Sequence, residues 1–166
     1  MNGRNYFSML ARYHRWAYGR LYERVNEIDD AKYFEDRNLF FRSIHGSLNH
    51  LLLVDRLWLA RLRGEKTGKV DLGEELETDR QRLERSVFEQ CDALIDFTDA
   101  LDETRIDAGI SYVSSKGESF TMPLAPLMAH IVNHGTHHRG QVSTALTQLG
   151  IEAPVMDIPY FLIEQR

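Results

Sequence analysis

Four of the seven histidines in the chain, His130, His134, His137 and His138, fall within nine residues. At about 100° per residue an α-helix carries His130, His134 and His138 along one stripe. Successive i,i+4 neighbours on such a stripe have Cβ atoms about 5–6 Å apart. That separation lets two imidazoles converge on one divalent ion while the helix backbone stays intact, and His137 borders the same stripe. The plainer alternative is a polar helix face whose rings are hydrogen-bonded in a core or at an interface. A lone i,i+4 pair would favour that alternative; the density here favours a metal. Two ligands on one helix do not fill a coordination sphere, so a third has to come from elsewhere in the chain.

The histidines outside the stripe are His14, His45 and His50. His50 stands among leucines in Ser47-Leu-Asn-His50-Leu-Leu-Leu-Val. A buried ring needs partners for both nitrogens; a metal can serve one while a backbone carbonyl or a carboxylate serves the other. His45 lies five residues earlier, about 140° away around a helix, so only one of the two is expected at a shared site, and His50 has the more apolar setting. His14, among aromatic and basic neighbours, is expected at a surface or interface. Asp55 and Gln141 are expected to orient ligand rings, although Asp55 is about 140° from His50 and pairing with an arginine between helices is its alternative. Arg139 points off the His134 stripe and is expected to be structural.

Four long helices are predicted to position these side chains. Tyr6, Met9, Leu10, Tyr13, Ala17, Leu21 and Val25 recur at helical spacing from about Asn5 to Glu27, after a loose lead-in over residues 1–3. Asp29 to Asp36 reads as a short connection with a partial turn. A second long helix from about Leu39 to Arg63 carries Phe40, Ile44, Leu48, Leu51, Trp58 and Leu62 and stops at Gly64; Gly64 to Leu76 reads as a solvated loop. Thr78 or Asp79 caps a third helix that runs to about Leu101. Gly109–Val113 and Glu118–Met122 alternate on either side of the turn Ser114–Gly117, which suggests a β-hairpin; two strands alone are marginal, so it has to lean on helices or a partner. Pro123 or Pro126 opens the fourth long helix, which carries the histidine stripe and ends at Gly150. The apolar tail from Ala153 to Ile163 is expected to fold back over the helices. The expected fold is all-α: one domain, residues 1–166, forming a four-helix bundle with a small hairpin before the last long helix and a C-terminal tail packed on the bundle.

Composition narrows the partners. A net charge of −5 argues against nucleic acid, whose binders show a basic surplus or stripe. No apolar run approaches the roughly 20 residues needed to span a bilayer, and no signal-peptide pattern precedes the first helix. The single cysteine, Cys91, allows no internal disulfide and lies at a core spacing with Leu83, Val87 and Leu94. A cytoplasmic protein without membrane or nucleic-acid partners is the expectation.

Leu48-Asn49-His50, Asp55 and Trp58, taken with Asn133-His134 and His138-Arg139-Gly140-Gln141 and the tail Pro154…Asp157-Ile-Pro159-Tyr-Phe161, resemble the DinB/YfiT-like family over nearly the whole chain. The resemblance implies a four-helix bundle, usually a homodimer, with a divalent ion held by three histidines. Carried onto this sequence these are His50, His134 and His138. His130 and His137 match no family ligand, and triads in which one of them replaces His134 or His138 stay open.

Three neutral imidazoles with a free coordination position describe a catalytic rather than a closed structural site. Such an ion can lower the pKa of bound water to about 7 or bind a small thiol as thiolate. Ligand type leaves the metal open: zinc or nickel come first, then iron, manganese or copper. The expected activity is metal-dependent and acts on a small molecule. S-transfer with a low-molecular-weight thiol, as the resemblance implies for some members, stands ahead of hydrolysis. The competing class is a non-catalytic stress-response or interaction module that the metal stabilises.

Overall fold

A computed structural model describes residues 2–114 and 116–166. Met1, part of the expected lead-in, and Ser115, within the expected hairpin turn, lie outside the described residues. The described chain is mostly helical with one two-stranded antiparallel sheet: α1 (Gly3–Val25), α2 (Asp30–Phe34), α3 (Ile44–Leu62), α4 (Arg80–Asp99), a 3-10 turn (Glu103–Arg105), β1 (Gly109–Val113), β2 (Ser119–Pro123), α5 (Leu124–Gln148) and α6 (Ile158–Glu164).

Local chemistry sets these boundaries. Asn2, Ser43 and Asp79 precede α1, α3 and α4, and the side chain of each accepts from a backbone N–H of the first turn, satisfying donors that have no intrahelical partner. Because Ser43 is the cap, α3 begins at Ile44 and not near Leu39 as the periodicity predicts; Phe40 is loop and 82% exposed. Gly64 and Gly150 follow α3 and α5 with φ of +78° and +82°, a conformation that glycine adopts without steric cost. The tail contains α6, whose Phe161 is buried against Tyr13 and Trp16 of α1. Tyr13 donates to the Met156 carbonyl (2.8 Å) and Trp16 Nε1 to Glu164 (2.7 Å).

α1 packs on α4 and α5, and α3 packs on the same two helices. The apolar interior is divided into two clusters. One joins the N-terminal half of α1 to the C-terminal ends of α3 and α4 and the N-terminal half of α5; the other joins the opposite ends of the same helices. Hence α3 and α4 run parallel, and residues 63–79 have to carry the chain back along their length. The stretch expected to be a free loop is this crossover. It is anchored by the buried side chain of Asn49, which accepts from the backbone N–H groups of Leu76 (2.9 Å) and Glu77 (3.0 Å) and donates to the Glu77 carbonyl (3.0 Å). The hairpin, paired from Gly109↔Pro123 to Val113↔Ser119, rests on α3 and α5. Arg61 donates to the Val113 carbonyl (2.7 Å) and its guanidinium lies over both the Trp58 and Tyr112 rings, which touch edge-to-face.

Candidate metal centre

At the waist between the two apolar clusters, His50 of α3 faces His134 and His138 of α5. One ring nitrogen from each comes within 4.8 Å of the other two, and the Nε2 atoms of His50 and His134 are 3.3 Å apart. Two of the three outward nitrogens are held by protein. His50 Nδ1 donates to the Leu72 carbonyl (2.9 Å) and His138 Nδ1 donates to Gln141 Oε1 (2.8 Å). With their protons on Nδ1, both rings present a lone pair at Nε2. His134 Nδ1 is buried and has no partner.

Burial and mutual proximity keep these rings unprotonated. His134 is held down to about 3 from an ordinary 6.5, first by burial and then by the neighbouring imidazoles of His138 and His50. His50 and His138 are also lowered, each chiefly by burial, with the Leu72 carbonyl and Gln141 respectively working the other way. Neutral imidazole is the form that binds metal. Two ring nitrogens facing each other at 3.3 Å, beside a third ring whose lone pair is turned the same way, fit a cation better than they fit one another. This three-histidine group could hold a metal ion.

The remaining histidines are placed elsewhere. His130 is next to His134 (ring centroids 5.6 Å apart) but turns its ring edge-to-face on Trp58 (5.0 Å). His137 accepts from Gln141 Nε2 (3.3 Å). His45 is buried and has Tyr33 on one nitrogen and Glu75 on the other (3.2 and 2.5 Å). It stays out of the triad, yet it lines the same cavity as His50. That cavity, of about 450 Å³, is also walled by Phe34, Phe41 and Asn49, because α3 turns past it at its first two turns.

Two expectations are corrected. His14 is fully buried, between Asp55 Oδ2 (2.9 Å) and the Arg139 guanidinium (3.0 Å), and is not at a surface. Its sequence neighbours Arg12 and Arg15 point outward to Asp99 and Asp92, so the local composition describes the opposite face of α1. Asp55 contacts none of the three clustered imidazoles, and its buried partners between helices are not an arginine but His14 and Tyr18, the latter donating a second hydrogen bond (3.1 Å). Gln141 does orient a ring of the cluster. The Leu72 carbonyl is a backbone atom that no motif could reveal, and Asn49 behind it, within Leu48-Asn49-His50, has no role assigned to it by the sequence.

The DinB family model matches residues 1–166. The chain belongs to the DinB family. It is 26% identical over 159 residues to Protein DinB of Bacillus subtilis (strain 168), covering 92% of this chain and 91% of that protein. In fold it is similar to the crystal structure of a DinB-like protein from Bacillus cereus ATCC 10987, with a TM-score of 0.63 at 13% identity over 84% of this chain and 89% of that one. Among the described residues no helix is long and apolar enough to cross a membrane.

Proposed function

We propose that this DinB-family chain is a single-domain, metal-dependent enzyme in which His50, His134 and His138 hold one divalent ion at the seam of a four-helix bundle. The observation that carries it is the convergence of three unprotonated rings, two of which, His50 and His138, have their outer nitrogens tied down by Leu72 and Gln141. The ring of contacts among α1, α4, α3 and α5 supports the bundle reading, in which metal sites form from side chains on facing helices. A divalent ion so held supplies Lewis acidity, lowering the pKa of a thiol or water that binds it. The chain contributes the rest. α3 and α5 fix the three nitrogens, burial keeps them deprotonated, and the cavity beside His50 gives a small molecule a place to lie with aromatic walls around it. S-transfer from a low-molecular-weight thiol to an electrophile is the reaction we assign, ahead of hydrolysis. Zinc or nickel suits the imidazole set. Exposed Tyr160, Leu162 and Ile163 on α6 support a homodimer, which light scattering tests.

The experiment is elemental analysis of untagged protein alongside His50→Ala and His134→Ala, followed by turnover with a panel of thiols and electrophiles. One equivalent of divalent metal in the parent, none in the variants, and thiol-dependent turnover only in the parent are the expected results. Equal metal in all three proteins removes the site. Metal-loaded parent protein inert toward the panel and toward esters and amides removes the enzymatic reading.

A further inference from the structure

The triad reading leaves open what keeps His50 aimed across the seam, and residues 35–43, between α2 and α3, bear on that. Two non-glycine residues of this loop, Asn38 and Arg42, have positive φ (57° and 67°). An arginine in the left-handed region is strained and persists only where its surroundings impose it. Here Asp36 imposes it by accepting from the Asn38 N–H and from Arg42 Nε, both at 3.0 Å. Backbone bonds from Arg42 N to the Leu39 carbonyl (2.8 Å) and from Arg37 N to the Arg42 carbonyl (2.7 Å) close the turn.

The product of that turn is the placement of one ring. Phe41 lies nearly flat on the His50 imidazole, with centroids 3.7 Å apart and planes at 17°, and 5.6 Å from the His138 ring. Its neighbour Phe40 is left in solvent. The Phe41 carbonyl meets α3 where Gly46 has no side chain, and a Cβ there would collide with that oxygen. Phe41 belongs to neither apolar cluster, so its position is not explained by core packing.

We propose that Phe41 is a positioning residue for His50 and, resting on the triad reading, for the metal. The Leu72 carbonyl holds the His50 ring by its edge and Phe41 holds it by its face. One contact fixes the twist of the ring and the other blocks its swing toward the cavity, so Nε2 stays directed at His134. An imidazole donating to a divalent ion becomes electron-poor, and the negative face of a phenyl ring attracts it in that state. Phe41 also walls the cavity, but its positioning role is exerted on the metal ligand: it acts through His50.

The test is cobalt(II) titration of the full chain against a chromophoric chelator, with the visible ligand-field spectrum recorded, for the parent, Phe41→Ala, Gly46→Ala and Phe41→Tyr. Gly46→Ala reaches the same ring through the backbone, and far-UV circular dichroism verifies that each variant is folded. Phe41→Ala and Gly46→Ala are expected to bind cobalt about 10–100-fold more weakly, as for loss of other groups that orient metal ligands, with an altered spectrum, while Phe41→Tyr keeps affinity and spectrum. Parent-like affinity and spectrum in both Phe41→Ala and Gly46→Ala would overturn the positioning role and leave the triad standing. A parent protein that takes up no cobalt overturns both.

Discussion

Two histidine-containing clusters occupy the waist of this molecule, and they solve the problem of a buried ring in opposite ways. In the interior, His14, Asp55, Tyr18 and Arg139 direct their polar atoms at one another. A guanidinium only donates, so His14 accepts from Arg139 at Nδ1 and gives its Nε2–H to Asp55. The close approach depends on Gly135, because a Cβ there would strike the His14 ring. At the α3–α5 seam, His50 and His138 secure their outer nitrogens, that of His134 has no partner, and one nitrogen of each of the three rings lies within 4.8 Å of the other two. In the first arrangement both His14 ring nitrogens have protein partners, although Asp55 Oδ1 and Arg139 Nε are left without one, and the contacts tie α1, α3 and α5 together. The second could hold a metal ion. Burial alone separates neither structural from functional histidines; the direction in which the lone pairs are left does.

That contrast can be broken or sharpened by substitution. Asp55→Ala leaves the buried His14 and Tyr18 without their shared acceptor and should cost about 3–5 kcal/mol, read from urea unfolding of metal-free protein at pH 7; a loss below about 1 kcal/mol would mean that the interior network is not structural. His134→Ala should abolish stoichiometric metal binding in calorimetry while shifting metal-free stability by no more than about 1 kcal/mol, since the ring it removes has a buried nitrogen with no partner. If metal-free stability instead falls as far as in Asp55→Ala, the two clusters are alike and the distinction fails. Asn49→Ala frees the crossover that presents the Leu72 carbonyl and should weaken metal binding about 10–100-fold in a competition titration, with a parent-like value counting against the carbonyl as an orienter.

The smallest effect is that of pH. Folded His134 takes up a proton only near 3, whereas its ordinary value is 6.5, so between those values the unfolded chain binds more protons. Stability of the metal-free protein is therefore full above about 6.5 and declines as pH falls toward 3. Urea midpoints at pH 7 and 4.5 should differ less in His134→Ala than in the parent; equal differences would place the titration elsewhere.

Much of the site was legible because it is local. Spacing alone put His134 and His138 on one face of α5, and the apolar run around His50 marked it as a ring in need of partners. Gln141 was within reach of His138 by helical geometry. What was illegible depended on contacts between distant segments. His14 read as a surface residue because its sequence neighbours face solvent, while its own side chain faces helices more than 40 and 120 positions away. The start of α3 was misplaced because Phe40 fits an apolar period but Ser43 supplies the cap. Phe41 was invisible, since nothing in its type or spacing announces a strained turn.

By itself, then, the sequence determined the helices, the turn residues that stop them and the histidines able to share an ion, because these follow from periodicity and side-chain chemistry within a few residues. Only the tertiary structure decided that α3 and α4 run parallel, that the crossover lends its Leu72 carbonyl to His50, and that Asp55 belongs to His14 and Tyr18 and not to the triad. Those outcomes turn on which lone pair meets which donor across helix interfaces, and that is set by packing of the whole chain.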